Sequence, residues 1–597
     1  MAEFVETPAP SVQVEPSDGG TLLLRSGLDL APVRQSLPHI FDEAADAHPQ
    51  RAFVRDRQTP DGSWRDISYS EAQRAANGLA QWLIDHDVGF GDAVAYLSAP
   101  SIEHAIAAIG IQRCGAAIAP VSVAYSLLSA DHGKLVNCVM RSKARYVIVD
   151  DLESYAGALA ALSALHVEII AVRGAEKDKK VTSFADVIAT EPTEAVAERM
   201  AAITPDTIAR IMYTSGSTGS PKATPQPQSN LTITVAQTEA IGLLDFDDEG
   251  PQILEAMPFS HIMAGNFNFN NTIRAAGTIN IDQGKPTPEL FEKTIANLKD
   301  VSPHYFITVP LGYAMLCDAM EADDALRDNF FRNLRYIGFG GAVLPDSVKD
   351  RLLSLSRAAR GDEVPIFSFY GATEYLFGAL KYWAGGSTEV IGLPLPGTEL
   401  KLVPDGERYA LWIRSPTVMP RSGYLGTPEA SEGLFDEDGF FQTGDAVRFA
   451  DEDDPAKGLV FAGRIADDFK LSSGTFVSVN ALRQDLIAAC EPALTEVVLC
   501  GLNENWVGAL LWVKGDADRI ETRETIENAL VRFNAEQTGL SRRIGTALIM
   551  NELLSFDFGE LTDKGNVAAR VVRERRKADV QRLFADERDA AVIDLRP

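Results

Sequence analysis

The chain has 597 residues, 46% of them hydrophobic and 23% charged, a soluble globular composition too long for a single core and therefore pointing to two or more domains. Lys+Arg of 55 against Asp+Glu of 84 leaves a net charge of −29, which argues against nucleic acid as a general partner. Five cysteines without a CxxC pair, eight histidines without metal spacing and no apolar run of membrane-spanning length point to a reduced, cytoplasmic protein without a structural metal or a membrane span.

The first 20 residues, "MAEFVETPAPSVQVEPSDGG", are acidic and proline-rich and read as a flexible tail. Helical periodicity in "LPHIFDEAADAHP" and "SYSEAQRAANGLAQWLIDHD" brackets the short strand "AFVR". Short apolar runs follow between helical segments: "DAVAYLS", "AAIAPVS", "ARYVIVDD", then "PHYFITVP", "LRYIGFGGA" and "PIFSFYGATE". Buried parallel strands have this character, so the fold class is α/β with helix-flanked sheets. From about 391 to 463 strands recur at turn spacing, with Asp-Gly and Pro punctuation, as in a β-rich subdomain. The expected organisation is a tail over 1–20, a large domain over 21–463 and a small mobile α+β domain over 464–597. Within the last, "RERRK" (573–577) reads as a solvated helix face.

Five stretches combine small residues with reactive ones. "YTSGSTGSPKA" is a loop of glycines and hydroxyls closed by Lys222, suited to cradling phosphate oxygens. It is not a Walker A loop, because the Gly-Lys-Ser/Thr ending is absent. "GFGGAVLP" (338–345) lets a flat ring lie against backbone, and "FYGATE" (369–374) offers an aromatic face, a hydroxyl and a carboxylate. "QTGD" (442–445) puts an Asp where it could accept from ribose hydroxyls, and "GRIADDFKLSSG" (463–474) completes the set.

In this order the five resemble the adenylate-forming superfamily of acyl-CoA synthetases, peptide-synthetase adenylation domains and beetle luciferases, over roughly residues 37–578. The resemblance implies ATP, Mg²⁺ and CoA as cofactor and cosubstrates. It implies that Thr214, Ser215, Gly216, Ser217, Thr218, Gly219 and Lys222 hold the pyrophosphate portion of ATP. Gly340, Gly341, Ala342, Phe369, Tyr370 and Gly371 would enclose adenine, Thr373 would contact the α-phosphate, and Glu374 would bind Mg²⁺ through a hard oxygen. Asp445 and Arg464 would take the ribose hydroxyls. The chemistry is consistent: a carboxylate attacking an α-phosphate brings negative charges together, which cations and oriented donors must offset.

Three departures stand out. The loop reads Pro-Lys-Ala where Pro-Lys-Gly is usual; Ala466, beside Asp467, fills the hinge position; and Asn566 follows Gly565 where the superfamily has its C-terminal lysine. That lysine's role is assigned to Lys564. Ser260 follows Phe259 where peptide-synthetase domains place an Asp for the substrate's ammonium, so α-amino acids are not expected as substrates. His261, Phe267, Asn268 and Phe269, with Gly340, Tyr370 and Phe377, suggest a pocket for a flat or apolar acyl group, with Asn268 able to bond a ring substituent. His261 is also counted with Lys564, Thr373 and Glu374 in the catalytic group.

"APVSVAYSLLSADHGKL", "GNFNFNNTIRAAGTINIDQGKPTPELF", "FKLSSGTFVSVNALR" and "LTDKGN" are similar to bacterial feruloyl-CoA synthetases, which share the hinge Ala and the Thr-Asp-Lys-Gly ending. This implies a hydroxycinnamate-type acid activated as acyl-AMP and captured by CoA, with Lys470, Ser473 and Gly474 along the pantetheine path. Other readings are a CoA ligase for another aryl or medium-chain fatty acid, a luciferase-like oxidase, a ligase loading a carrier protein, and a non-catalytic adenylate-binding scaffold. The partners expected are small molecules only, and the oligomeric state stays open, a homodimer included.

Overall fold

A computed structural model describes residues 3–596 apart from 58–61, 215–219, 515–519, 563–566, 586 and 588. Six parallel strands form the middle of the largest sheet, in the spatial order Ala52–Asp56, Thr278–Ile281, Gln252–Glu255, Tyr305–Thr308, Tyr336–Gly340 and Ile366–Ala372. The strand Leu376–Lys381 pairs antiparallel with the last of these and leads into the β-rich part: Val390–Pro394, Leu459–Arg464, Phe441–Phe449, Arg408–Arg414 and Glu399–Asp405. A second sheet holds seven strands, centred on Ala93–Leu97, Ala117–Pro120 and Ile208–Thr214, and ends at Lys222–Pro227. Ala93–Leu97 is buried along its whole length, which is why it reads as an uninterrupted apolar run. Helices Leu37–Ala47, Tyr69–Asp85 and Ile102–Arg113 fill the space between the sheets, and one apolar cluster takes Phe53 and Ile279 from one sheet and Val94 and Ile118 from the other. Tyr69–Asp85 starts where the sequence marks it, at a capping box of Ser68 and Glu71.

The expected tail is corrected. Val12–Pro16 and Leu22–Ser26 form a hairpin, and the second strand adds to Glu399–Asp405, with Leu24 pairing Leu400. Gly19 and Gly20, both at positive φ, make the turn, and Leu24 is fully buried against Leu400, Leu402, Leu411 and Ile413. Alternation of Val12, Val14, Leu22 and Leu24 carried this signal, beneath a proline-rich and acidic composition.

The smaller C-terminal domain is a four-stranded sheet, Leu494–Cys500, Val507–Val513, Ile544–Ile549 and Val592–Asp594, with helices Val479–Ala489 and Ile520–Glu536 on one face and Ala569–Arg575 and Lys577–Leu583 on the other. The expectation for "RERRK" is corrected at one position: Glu574, Arg575 and Lys577 are exposed, but Arg576 is buried, its guanidinium 2.7 Å from a Glu560 carboxylate that has no solvent exposure. A buried carboxylate demands such a partner. Contacts that tie this domain to the large one include a lysine and an arginine of the large domain. Lys134 Nζ donates to the Phe556 carbonyl at 2.6 Å and lies 4.2 Å from that residue's ring centroid. Arg408 donates to Asp468 Oδ2 at 2.5 Å, just past the expected hinge. All five cysteines are free and buried. Among the described residues no helix is long and apolar enough to cross a membrane.

Candidate active site

The parallel strands of the large sheet all end on one side, where Gly340 and Ala372 lie on neighbouring strands; ligand crevices of α/β sheets form at such edges. Tyr370 and Gly371 sit at a register shift between Ile366–Ala372 and Leu376–Lys381. The backbone there runs so close that a Cβ on Gly371 would collide with the Leu376 carbonyl, so glycine is required. The shift turns Tyr370 toward the β-rich part, where its hydroxyl donates to Asp445 Oδ2 at 2.6 Å and receives the Tyr375 hydroxyl at 3.0 Å. Asp445 is opposite Arg464 in the antiparallel register, and Arg464 Nε lies 3.4 Å from Asp445 Oδ1. Burial pushes the Asp445 carboxyl above its usual range, against the opposing pull of Arg464 and the Tyr370 hydroxyl. Its Oδ1 is buried and makes no hydrogen bond, which leaves an acceptor for a ligand hydroxyl.

A second cluster forms around Tyr424, which no sequence motif indicated. Its hydroxyl donates to Glu374 Oε1 at 2.8 Å, and Lys222 Nζ lies 4.8 Å from its ring centroid. Lys222 opens the strand Lys222–Pro227 directly opposite Thr214, so the hydroxyl-rich loop is the connection of an antiparallel pair. Thr214 Oγ1 is buried without a hydrogen-bond partner. Ser215, Gly216, Ser217, Thr218 and Gly219 lie outside the described residues, as does Lys564. Behind Thr373 runs a buried polar chain: Gln226 Nε2 donates to the Thr373 carbonyl at 3.2 Å, Asn266 Nδ2 to Gln226 Oε1 at 2.8 Å, and Arg210 to Asn266 Oδ1 at 2.7 Å. Desolvation lowers the Arg210 guanidinium to about 9.

The acyl-pocket residues divide. Phe267 meets Phe369 and Phe377 edge to face at 4.9 and 5.2 Å, a buried aromatic group on one side of the central core. Phe269 belongs to the same core but packs on another side, against Phe53 and Phe259 and under Arg210. Neighbours two apart look alike in a sequence, yet here they part at a π-helical turn, Met263–Asn268. His261, partly exposed, precedes that turn and accepts the Met263 N–H at Nδ1, which puts the ring proton on Nε2. Gly341 and Ala342 are exposed beyond the strand end. Lys470, Ser473 and Gly474 occupy an exposed hairpin of the small domain, with Ser473 bonded locally to Thr475 at 2.8 Å.

Orphaned Thr214 Oγ1 and Asp445 Oδ1, with Lys222 and Arg464 nearby in the chain's own clusters, fit a nucleotide: a donor and a cation for phosphate, an acceptor for ribose. Among the described residues no group of three or more His, Cys, Asp or Glu could hold a metal ion. Glu374 offers a single hard oxygen, which fits a Mg²⁺ only where phosphates and water supply the other ligands.

The model of the family described as AMP-binding enzyme matches residues 41–425, well over half of the chain. The chain belongs to the AMP-binding enzyme family. Its relatives include the long-chain-fatty-acid–CoA ligase FadD15 of Mycobacterium bovis, 26% identical over 88% of this chain and 94% of that protein. The 3-hydroxybenzoate–CoA ligase of an Aromatoleum species is 26% identical over 74% of this chain and 79% of its own. Among solved structures, the anthranilate CoA ligase AuaEII with anthranoyl-AMP has a TM-score of 0.70 at 19% identity, over 92% of this chain and 99% of that one. ATP-bound MatB from Rhodopseudomonas palustris also has a TM-score of 0.70, at 21% identity, covering 91% and 99%. At these identities the two structures speak for the fold, a large sheet-rich domain followed by a smaller one, and for the family's α/β class.

Proposed function

We propose that this AMP-binding enzyme is an ATP-dependent, AMP-forming ligase that joins a hydroxycinnamate-type acid to CoA. The observation that carries the reading is the pair of clusters Tyr370–Asp445–Arg464 and Lys222–Tyr424–Glu374, which gather residues from five distant segments into ribose-suited and phosphate-suited groups. The acid's carboxylate oxygen attacks the α-phosphorus of ATP; the bond to the β-phosphate bridge breaks, and acyl-AMP and pyrophosphate result. The CoA sulfur then attacks the acyl carbon, AMP leaves, and the thiol proton passes to solvent. Lys222, Thr214 and Thr373 stabilise charge on the phosphates, Asp445 with Arg464 orients the ribose, and Glu374 would hold a Mg²⁺ that supplies further positive charge. Phe267, Phe369 and Phe377 supply flat apolar surface for the ring. Residues 464–597 act as the mobile domain, which brings Lys564 to the acid for the first step and Lys470, Ser473 and Gly474 to CoA for the second. A fatty-acyl substrate is the second reading, favoured by the long-chain ligase relative that aligns along most of this chain.

The two steps separate in one experiment. Lys564→Ala is expected to cut acyl-AMP formation from acid and ATP by 10²-fold or more, on the order of 3 kcal/mol of transition-state stabilisation. Thioester formation from supplied acyl-AMP stays within a few-fold of the parent. Equal loss in both half-reactions contradicts the assignment.

A further inference from the structure

The strand Gln252–Glu255 ends in a carboxylate that no part of the proposed reaction uses. Glu255 has 1% of its surface exposed. Its Oε1 accepts the Met257 N–H at 2.8 Å, and its Oε2 accepts Asn268 Nδ2 at 2.6 Å. Among the described residues no cation is bonded to it, and burial raises it to about 7. Asn268 is 4% exposed, and because its amide nitrogen is committed to Glu255, its Oδ1 is left buried and without a hydrogen-bond partner. An orphaned acceptor of this kind costs about 1–3 kcal/mol, so its retention calls for a donor.

The place of the pair says what that donor belongs to. Ile253 is in register with Tyr305, which is in register with Tyr336, so Glu255 is level with Ile307 and Gly338, two strands from the Gly340 strand. Two strand spacings are about 10 Å. The π-helical turn sets residues five apart on one face, so Asn268 shares its face with Met263. Met263 in turn lies over the Gly340 end: its Cε is 3.7 Å from where a Cβ on Gly340 would stand. Phe267, between them, meets the Phe369 and Phe377 wall. An α-helical turn would have carried Asn268 away from this face.

We infer that Asn268, held by Glu255, is a specificity-determining residue that reads a hydroxyl at the far end of the acyl group, about one para-hydroxyphenyl-propenoate length from the reacting carboxylate. The inference rests on the proposed acyl-CoA ligase reading. The phenolic O–H donates to Asn268 Oδ1, and Glu255 acts as a positioning residue that fixes the amide with its oxygen toward the ligand. A ring lacking the hydroxyl leaves that oxygen orphaned, which is how a polar site rejects an apolar analogue. Met263, unbranched, is the side chain that must move aside to admit the ring.

The test compares kcat/KM for 4-coumarate and cinnamate, which differ only in the hydroxyl, in the parent protein, Asn268→Leu and Glu255→Gln. The parent is expected to favour 4-coumarate by tenfold or more, on the order of 1.4 kcal/mol. Asn268→Leu brings the ratio to within about threefold of unity because 4-coumarate loses far more activity than cinnamate. Glu255→Gln, close in volume, lowers the ratio in the same direction. A purely structural role would lower both substrates together and leave the ratio unchanged, which overturns the inference while the ligase reading stands. Absence of ATP- and CoA-dependent thioester formation from every aromatic acid overturns both.

Discussion

Asp445→Asn is expected to lower kcat/KM for ATP by roughly 10²–10³-fold, seen mainly as a raised KM. The carboxylate receives the Tyr370 hydroxyl at 2.6 Å and faces Arg464 at 3.4 Å, and its buried Oδ1 makes no hydrogen bond, the acceptor that the proposed function gives to the ribose. The amide retains the shape but removes the charge that holds Arg464 and replaces one acceptor by a donor. Ribose is not a reacting part of the substrate, so the loss falls on binding and orientation before it falls on chemistry. Titration of ATP at saturating acid measures it. A KM unchanged within about threefold would remove Asp445 from the nucleotide site.

Glu374→Gln is expected to act differently, with a drop in kcat for acyl-AMP formation of about 10²-fold or more and a weaker dependence on Mg²⁺. The glutamine oxygen still accepts the Tyr424 hydroxyl, now 2.8 Å from Glu374, so the local packing survives. What disappears is one anionic hard-oxygen ligand, at a site where the described residues offer no carboxylate cluster to replace it. Measuring the rate as a function of Mg²⁺ concentration separates a lost ligand from a general loss of fold. A parent-like Mg²⁺ response with reduced rate would move Glu374 from metal binding to support of Tyr424.

Much of the fold was legible in the sequence because its parts are local. Short apolar runs such as "DAVAYLS" and "ARYVIVDD" became the buried strands Ala93–Leu97 and Tyr146–Asp151, and the glycine-rich ends of Tyr336–Gly340 and Ile366–Ala372 fell at one sheet edge. Asp445 and Arg464, 19 positions apart, are direct antiparallel partners. The residues that escaped sequence reasoning act through long-range contacts. Tyr424 joins Lys222 to Glu374, and Gln226 reaches the Thr373 carbonyl, but neither carries a local motif. Next to Ala466 and Asp467, the expected hinge, Asp468 accepts from Arg408 and from the Val479 N–H at 2.8 Å, contacts no local motif announced. Phe267 and Phe269 were indistinguishable by type, and the π-helical turn sends them to different neighbours within one core, Phe369 and Phe377 for the first, Phe53 and Phe259 for the second. The hairpin at 12–26 was hidden for the opposite reason: its alternation was present, but its prolines and acidic residues resembled those of an unfolded segment.

The most direct measurement is ATP- and CoA-dependent thioester formation across ferulate, 4-coumarate, caffeate, cinnamate, benzoate and a medium-chain fatty acid, with AMP and pyrophosphate released in step. Turnover is expected to be highest for the three-carbon-chain acids whose ring bears a hydroxyl. Turnover confined to benzoate or to the fatty acid would contradict the hydroxycinnamate reading and leave an AMP-binding ligase of different substrate.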